Sequence, residues 1–138
     1  MSRFVLDASV VLTWCFPDEN AGLARKVAEC FKRSDIAIAP AFWPHEVLNA
    51  LLSAEKRGRI SAALTKQFLQ NLATLPVRLE QVSSTIVFDR IESLSRAHSL
   101  TSYDAAYLDL AIQHDLPIAT LDSDLITACE EAGVELIR

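Results

Sequence analysis

Four carboxylates in this chain stand where a carboxylate can do chemistry. Asp7 closes the apolar run Phe4-Val5-Leu6, and Glu46 follows Pro44 just before the apolar Val47-Leu48. Asp104 sits between Thr101-Ser102-Tyr103 and Ala105-Ala106-Tyr107, and Asp122 follows Ala119-Thr120-Leu121, with Asp124 two residues on. Each has an ordinary explanation. Asp7 and Asp122 (or Ser123) suit a turn or helix N-cap, and Glu46 and Asp104 suit first turns, where acids complement the helix dipole. Taken together they are harder to dismiss, because all four fall at strand ends or helix starts, beside apolar stretches. In an α/β sheet those termini collect along one edge, the edge where such sheets place ligands. Converging carboxylates repel and raise one another's pKa. A hard divalent cation, Mg²⁺ or Mn²⁺, relieves that repulsion. Such an ion lowers the pKa of water and offsets charge on a phosphoryl oxygen, which points to phosphodiester hydrolysis.

The elements that must position these acids follow from the apolar pattern. Phe4–Leu6, without polar alternation, reads as a strand buried on both faces. Ser9–Phe16 reads as a short helix stopped by Pro17, with Asp18-Glu19-Asn20 a solvated loop. Leu23, Val27, Cys30 and Phe31 give an amphipathic helix over about Ala21–Lys32. Asp35–Ala39 is a second strand. Pro44 suits the first turn of a helix that runs to Lys56, with Gly58 just past its end. Ser61 caps the next helix, which carries Leu64, Phe68, Leu72 and Leu75 on one side. Val77–Val82 alternates as a half-wet strand, and Ser84 or Thr85 opens a helix with Val87, Ile91 and Leu94 inward. Leu100–Ile112 is the clearest helix, where Thr101 and Asp104 resemble a capping box. Leu116–Leu121 is a buried strand, Asp122-Ser123-Asp124 leads into a helix ended by Gly133, and Val134–Ile137 is a last strand. The order predicts one α/β domain over residues 1–138, three layers deep, with a mostly parallel sheet of about five strands.

Composition narrows the function. A chain of 138 residues with 51% hydrophobic residues can build a real core. Its net charge of −5 is the wrong sign for a broad nucleic-acid-binding face, so any such chemistry needs a local basic patch or bound cations. Cys15, Cys30 and Cys129, odd in number and set among apolar residues, read as buried thiols of a reducing cytosol. No basic leader precedes a long apolar region and no stretch approaches a membrane span, so the expected location is the cytoplasm, away from membranes.

At this point the residues resemble a family. Phe4-Val5-Leu6-Asp7-Ala8-Ser9, Trp43-Pro44-His45-Glu46-Val47-Leu48-Asn49, Leu100-Thr101-Ser102-Tyr103-Asp104-Ala105-Ala106-Tyr107 and Ala119-Thr120-Leu121-Asp122-Ser123-Asp124-Leu125, in this order and spacing, resemble the PIN-domain ribonucleases. The likeness is closest to the VapC toxins of bacterial toxin–antitoxin pairs, and it runs the length of the chain. It implies a PIN-like fold in which Asp7, Glu46 and Asp104 are the core metal-holding acids. Asp122 matches the fourth, more variable acid, with Asp124 the other possibility. Ser9 and Thr120 match small hydroxyl positions that orient carboxylates beside the metal. The implied activity is a Mg²⁺- or Mn²⁺-dependent endoribonuclease that leaves 5′-phosphate and 3′-hydroxyl ends. The implied partners are RNA, a cognate VapB-type antitoxin that forms a hetero-oligomer with it, and a second copy in a homodimer. The helices Ala21–Lys32 and Ser61–Leu75 are candidate walls of the antitoxin groove.

Other residues are candidates for substrate contact. Lys56, Arg57 and Arg59 form the densest basic cluster and are candidate RNA contacts, although cations at a helix C-terminus also have a purely local use. Trp14, Trp43, Tyr103 and Tyr107 could stack bases, against an ordinary role in packing. His45 has a structural reading only. The rival class is a receiver-like α/β signalling or binding module with an acidic metal pocket. It needs a Lys late in the chain, and none follows Lys66.

Overall fold

A computed structural model describes residues 2–16 and 21–138 of the chain. The expected stop at Pro17 and the loop Asp18-Glu19-Asn20 lie outside those residues. Four parallel strands form the sheet: β1 (Arg3–Leu6), β2 (Ile36–Pro40), β3 (Val77–Glu80) and β4 (Ile118–Ala119). Their order is β3-β2-β1-β4. Phe4, Val5 and Leu6 are buried, as are Ala37, Ile38 and Ala39 opposite them, which is why these strands lack polar alternation. At the β3 edge, Arg78 and Leu79 are exposed, consistent with a half-wet strand.

Helices cover the sheet. They are α1 (Ala8–Leu12), α2 (Ala21–Lys32), α3 (Trp43–Lys56), α4 (Ala62–Leu72), α5 (Ser84–Ile86), α6 (Glu92–His98), α7 (Ser102–His114) and α8 (Ser123–Ala132). A π-helical turn, Val87–Ile91, joins α5 to α6. Helix α3 packs on α1 and α4, while α7 lies against β1, β2, α6 and α8. Ala105 through Ala111 are buried all round α7, which makes it the central helix of its layer.

Several expectations shift in detail; the strand expected over Leu116–Leu121 pairs only at Ile118–Ala119. The helix after β1 is shorter than Ser9–Phe16, since its last residues become turns after Leu12. The expected fifth strand reduces to a single parallel bridge, Ile118 to Leu136. Pro117 has no N–H to donate, so pairing on that flank starts at Ile118. Ile118 then receives both links of the last segment, donating to Glu135 O at 3.0 Å and accepting from Ile137 N at 2.9 Å.

The connection order fixes the site. The chain steps outward from β1 to β2 to β3, then returns to the far flank of β1 as β4. The direction of travel reverses between β1 and β4, and a crevice opens there at the strands' carboxyl ends. Asp7 directly follows β1, and Thr120 directly follows β4.

Candidate active site

Asp7 is the anchor of the crevice. Its backbone N–H donates to Ala119 O at 3.0 Å, tying the end of β1 to β4. Its carboxylate, only 7% exposed, accepts at Oδ2 from Thr120 Oγ1 at 2.7 Å and from Ser9 Oγ at 2.8 Å. Each hydroxyl is itself oriented by a backbone donor. Leu121 N donates to Ser9 Oγ at 3.1 Å, and Asp122 N donates to Thr120 Oγ1 at 3.0 Å. Burial raises the Asp7 pKa, the two hydroxyls oppose that, and the nearby charge of Asp122 adds to the rise.

Glu46 enters from the first turn of α3, just after Pro44. The Tyr107 hydroxyl donates to its Oε1 at 2.6 Å. Tyr107 is 0% exposed, and burial pushes its pKa far up, so its hydroxyl keeps the proton and stays a donor. Burial raises the Glu46 pKa, and the charges of Asp7 and Asp104 raise it further against the opposing Tyr107 bond.

Asp104 lies in the first turn of α7. Thr101 caps that helix, its Oγ1 accepting from Asp104 N at 3.1 Å. The Asp104 carboxyl is pushed up to about 6, first by burial and then by the charges of Asp122 and Asp7, with a smaller push from Asp124. Asp122 caps α8 through Oδ1, which accepts from Leu125 N at 3.0 Å, and it is half-buried where Asp124 is exposed.

The fold therefore gathers Asp7, Glu46, Asp104 and Asp122 around one crevice, where burial and the neighbouring charges raise the proton affinity of Asp7, Glu46 and Asp104. As placed, no three His, Cys, Asp or Glu side chains among the described residues form a ready ligand set for a metal ion. The donor chemistry fits a hard cation nonetheless: all the acids are oxygen donors, and they share an unrelieved like-charge repulsion.

Other candidates lie elsewhere. Lys56, ten residues along α3 from Glu46, is roughly 15 Å away along the helix axis. Arg57 and Arg59 continue beyond it, and Arg59 sits over the Phe16 ring at 4.6 Å. The basic cluster thus occupies the opposite end of the helix layer from the acids. His45 is exposed. Trp43 is buried, and Trp14 donates through Nε1 to Ala24 O at 3.1 Å. Of the four aromatics, Tyr103 alone is exposed, at 57%. Cys30 and Cys129 are buried, Cys15 is half-buried, and all three are free thiols.

Two features escaped sequence reasoning. The bond from Tyr107 to Glu46 was signalled only by Tyr107 standing three residues after Asp104, on the same helix face. Asp109, among the most deeply buried acids at 1% exposure, holds Arg90 through bonds of 2.7 and 3.1 Å. Nothing local distinguishes it from a surface acid.

A family model described as PIN domain matches residues 4–131. The chain belongs to the PIN domain family. Solved structures share its fold. PAE2754 from Pyrobaculum aerophilum superposes with a TM-score of 0.67 at 20% identity, covering 92% of this chain and 84% of that one. FitAcB from Neisseria gonorrhoeae gives a TM-score of 0.66 at 17% identity, covering 98% and 96%. A toxin–antitoxin complex from Klebsiella pneumoniae gives 0.54 at 14% identity, covering 87% of each chain. No curated protein matches the chain by sequence. PIN membership sets aside a receiver fold. No helix among the described residues is long and apolar enough to cross a membrane.

Proposed function

We propose that this PIN domain is a divalent-metal-dependent endoribonuclease and the toxin of a toxin–antitoxin pair. The observation that carries the reading is the gathering of four mutually repelling carboxylates at the crevice between β1 and β4. PIN domains are generally nucleases, and a structural neighbour is itself a toxin–antitoxin complex, which favours the same assignment.

In this reading Asp7, Glu46, Asp104 and Asp122 would hold Mg²⁺ or Mn²⁺. When bound, the cation lowers the pKa of water and offsets charge growing on the phosphoryl oxygens. The chain's own groups do the positioning. Ser9 and Thr120 fix the Asp7 carboxylate through one oxygen and leave the other for a ligand. Tyr107 donates to one Glu46 oxygen, which favours its ionised form, and leaves the other for a ligand. Asp122 keeps one oxygen on the α8 cap and has the second to offer, which makes it a better fourth acid than exposed Asp124. Lys56, Arg57 and Arg59, remote from the acids, would touch only outlying parts of an RNA.

A cognate antitoxin would silence the enzyme in a cytoplasmic hetero-oligomer, built on a homodimer of this chain. Exposed Leu52 on α3 and Leu64 on α4 are apolar surface for such contacts.

Cleavage of a total RNA pool by purified protein tests the reading. Mg²⁺-dependent cuts with 5′-phosphate ends are expected. They should vanish with EDTA and fall at least a thousandfold in Asp7→Asn and Asp104→Asn proteins that stay folded. Cutting that survives EDTA or both substitutions would sink it.

A further inference from the structure

A cleft of about 250 Å³ opens at the ends of β2 and β3, and its wall reaches Tyr103, the residue before Asp104. Pro40, Phe42, Val82, Val87, Tyr103 and Leu110 form most of its wall, so it is largely apolar; Gln81 and Ser102 bring polar groups to it, and its two carboxylates, Glu80 and Asp109, are already paired with His114 and Arg90. Its notable wall is Tyr103. That ring is 57% exposed, yet it is braced edge-on by Phe42 at a centroid distance of 5.0 Å. Phe42 in turn meets Tyr107 edge-on at 5.8 Å, and Tyr107 donates to Glu46. An unbroken aromatic series therefore runs from an open ring face to one of the four acids.

We propose that this cleft receives a single splayed nucleobase of the RNA, stacked on Tyr103, next to the phosphate being cut. The inference rests on the ribonuclease reading above and names how that site grips its substrate. Position is the first argument. Tyr103 immediately precedes Asp104 on α7, and successive residues leave a helix about 100° apart. The two side chains thus leave one turn towards neighbouring spaces. A strand with its phosphate at Asp104 must lay the adjoining nucleotide beside it. Electrostatics is the second. With a net charge of −5, the chain has little long-range attraction for phosphates, and stacking supplies affinity that needs no cation. Size is the third. The cleft is smaller than the usual ligand pocket of about 300–1,000 Å³ and suits one ring system, whereas a docked protein face needs hundreds of Å². The bracing by Phe42 is the fourth, since a ring already held in place loses little freedom when a base lands on it.

The test uses a random pool of short single-stranded RNAs carrying 5-iodouridine, photocrosslinked to the full chain, with the attachment site mapped by mass spectrometry. Cleavage of total RNA by wild type, Tyr103→Phe and Tyr103→Ala is sequenced in parallel, with oligomeric state measured for each. The expected result is attachment at Tyr103, and a loss of about tenfold in kcat/KM for Tyr103→Ala with altered nucleotide preference beside the cut. Tyr103→Phe, which keeps the ring, should behave as wild type. A wild type that cuts RNA while Tyr103→Ala cuts equally well, with the same flanking preference, overturns the cleft and leaves the nuclease standing. Attachment only at other residues overturns it as well. Loss of a dimer in Tyr103→Ala with RNA capture unchanged makes the cleft a contact between copies and overturns it. A wild type that neither cuts nor captures RNA overturns both readings together.

Discussion

Tyr107 has no charge to offer a cation, yet it sets where one of the charges lies. Its hydroxyl is the group that holds Glu46 against repulsion from Asp7 and Asp104. Tyr107→Phe deletes that one oxygen and leaves the ring against Phe42. It is expected to weaken Mn²⁺ binding about tenfold in calorimetry, with the fold intact. An unchanged affinity would show that Glu46 does not need the bond. Asp104 makes a pH prediction. Its carboxyl ionises near 3.8 when unfolded and about 6 when folded, so between those values the folded state holds the extra proton. Metal-free protein should therefore be most stable at the acid end of that window and lose stability as pH rises towards about 6. Asp104→Asn should flatten this slope in thermal melts from pH 4 to pH 7, and an unflattened slope would assign it elsewhere. At this scale the sequence was informative where a residue closes an apolar run, as Asp7 does. It was silent on Tyr107 and Asp109, because a hydrogen bond between residues 46 and 107 leaves no local trace.

Among the elements, α7 bears the greatest weight, and Arg90 shows how it is secured. The side chain leaves the π-helical turn and forks onto buried Asp109. Arg90→Ala would leave that carboxylate without a partner, and is expected to cost roughly 2–3 kcal/mol in urea unfolding. Arg90→Lys should recover only part, since an ammonium cannot reproduce the fork. Removing the exposed Arg96–Glu92 pair should cost under about 0.5 kcal/mol, because both groups are largely solvated. Equal effects at the two sites would contradict the burial argument. Helix ends were legible where glycine marked them, at Gly58 and Gly133, both with positive φ. They were not legible at Ser99 and Asp115, which take the same left-handed conformation with side chains that rarely adopt it. The helix after β3 opens at Ser84, one of the two residues expected, with Ser83 capping it. The π-helical turn inside it also went unseen, since one wider turn barely disturbs an apolar period.

For the molecule as a whole, the alternation of strands and helices was enough to place the acids on one edge, because parallel sheets bring their carboxyl ends together whatever the sequence separation. Exposure was not legible. Trp43 and Tyr103 each shortly precede a crevice acid, yet one is buried and the other open, a difference set by packing from distant elements. Repulsion in the crevice also predicts that ion binding tightens the entire fold. At a hundred times its dissociation constant, Mn²⁺ should add about 2.7 kcal/mol of stability and raise the melting temperature, and Asp7→Asn should abolish the gain. A melting temperature indifferent to Mn²⁺ would remove the ion from these carboxylates. The strand order carries one more consequence, in time. β1 is made first, but its flank stays vacant until β4 arrives more than a hundred residues later, bringing Thr120 and Asp122 with it. A chain still emerging from the ribosome therefore carries Asp7 and Glu46 without the groups that complete their crevice. By topology alone, the four carboxylates cannot share one crevice until β4 has been made.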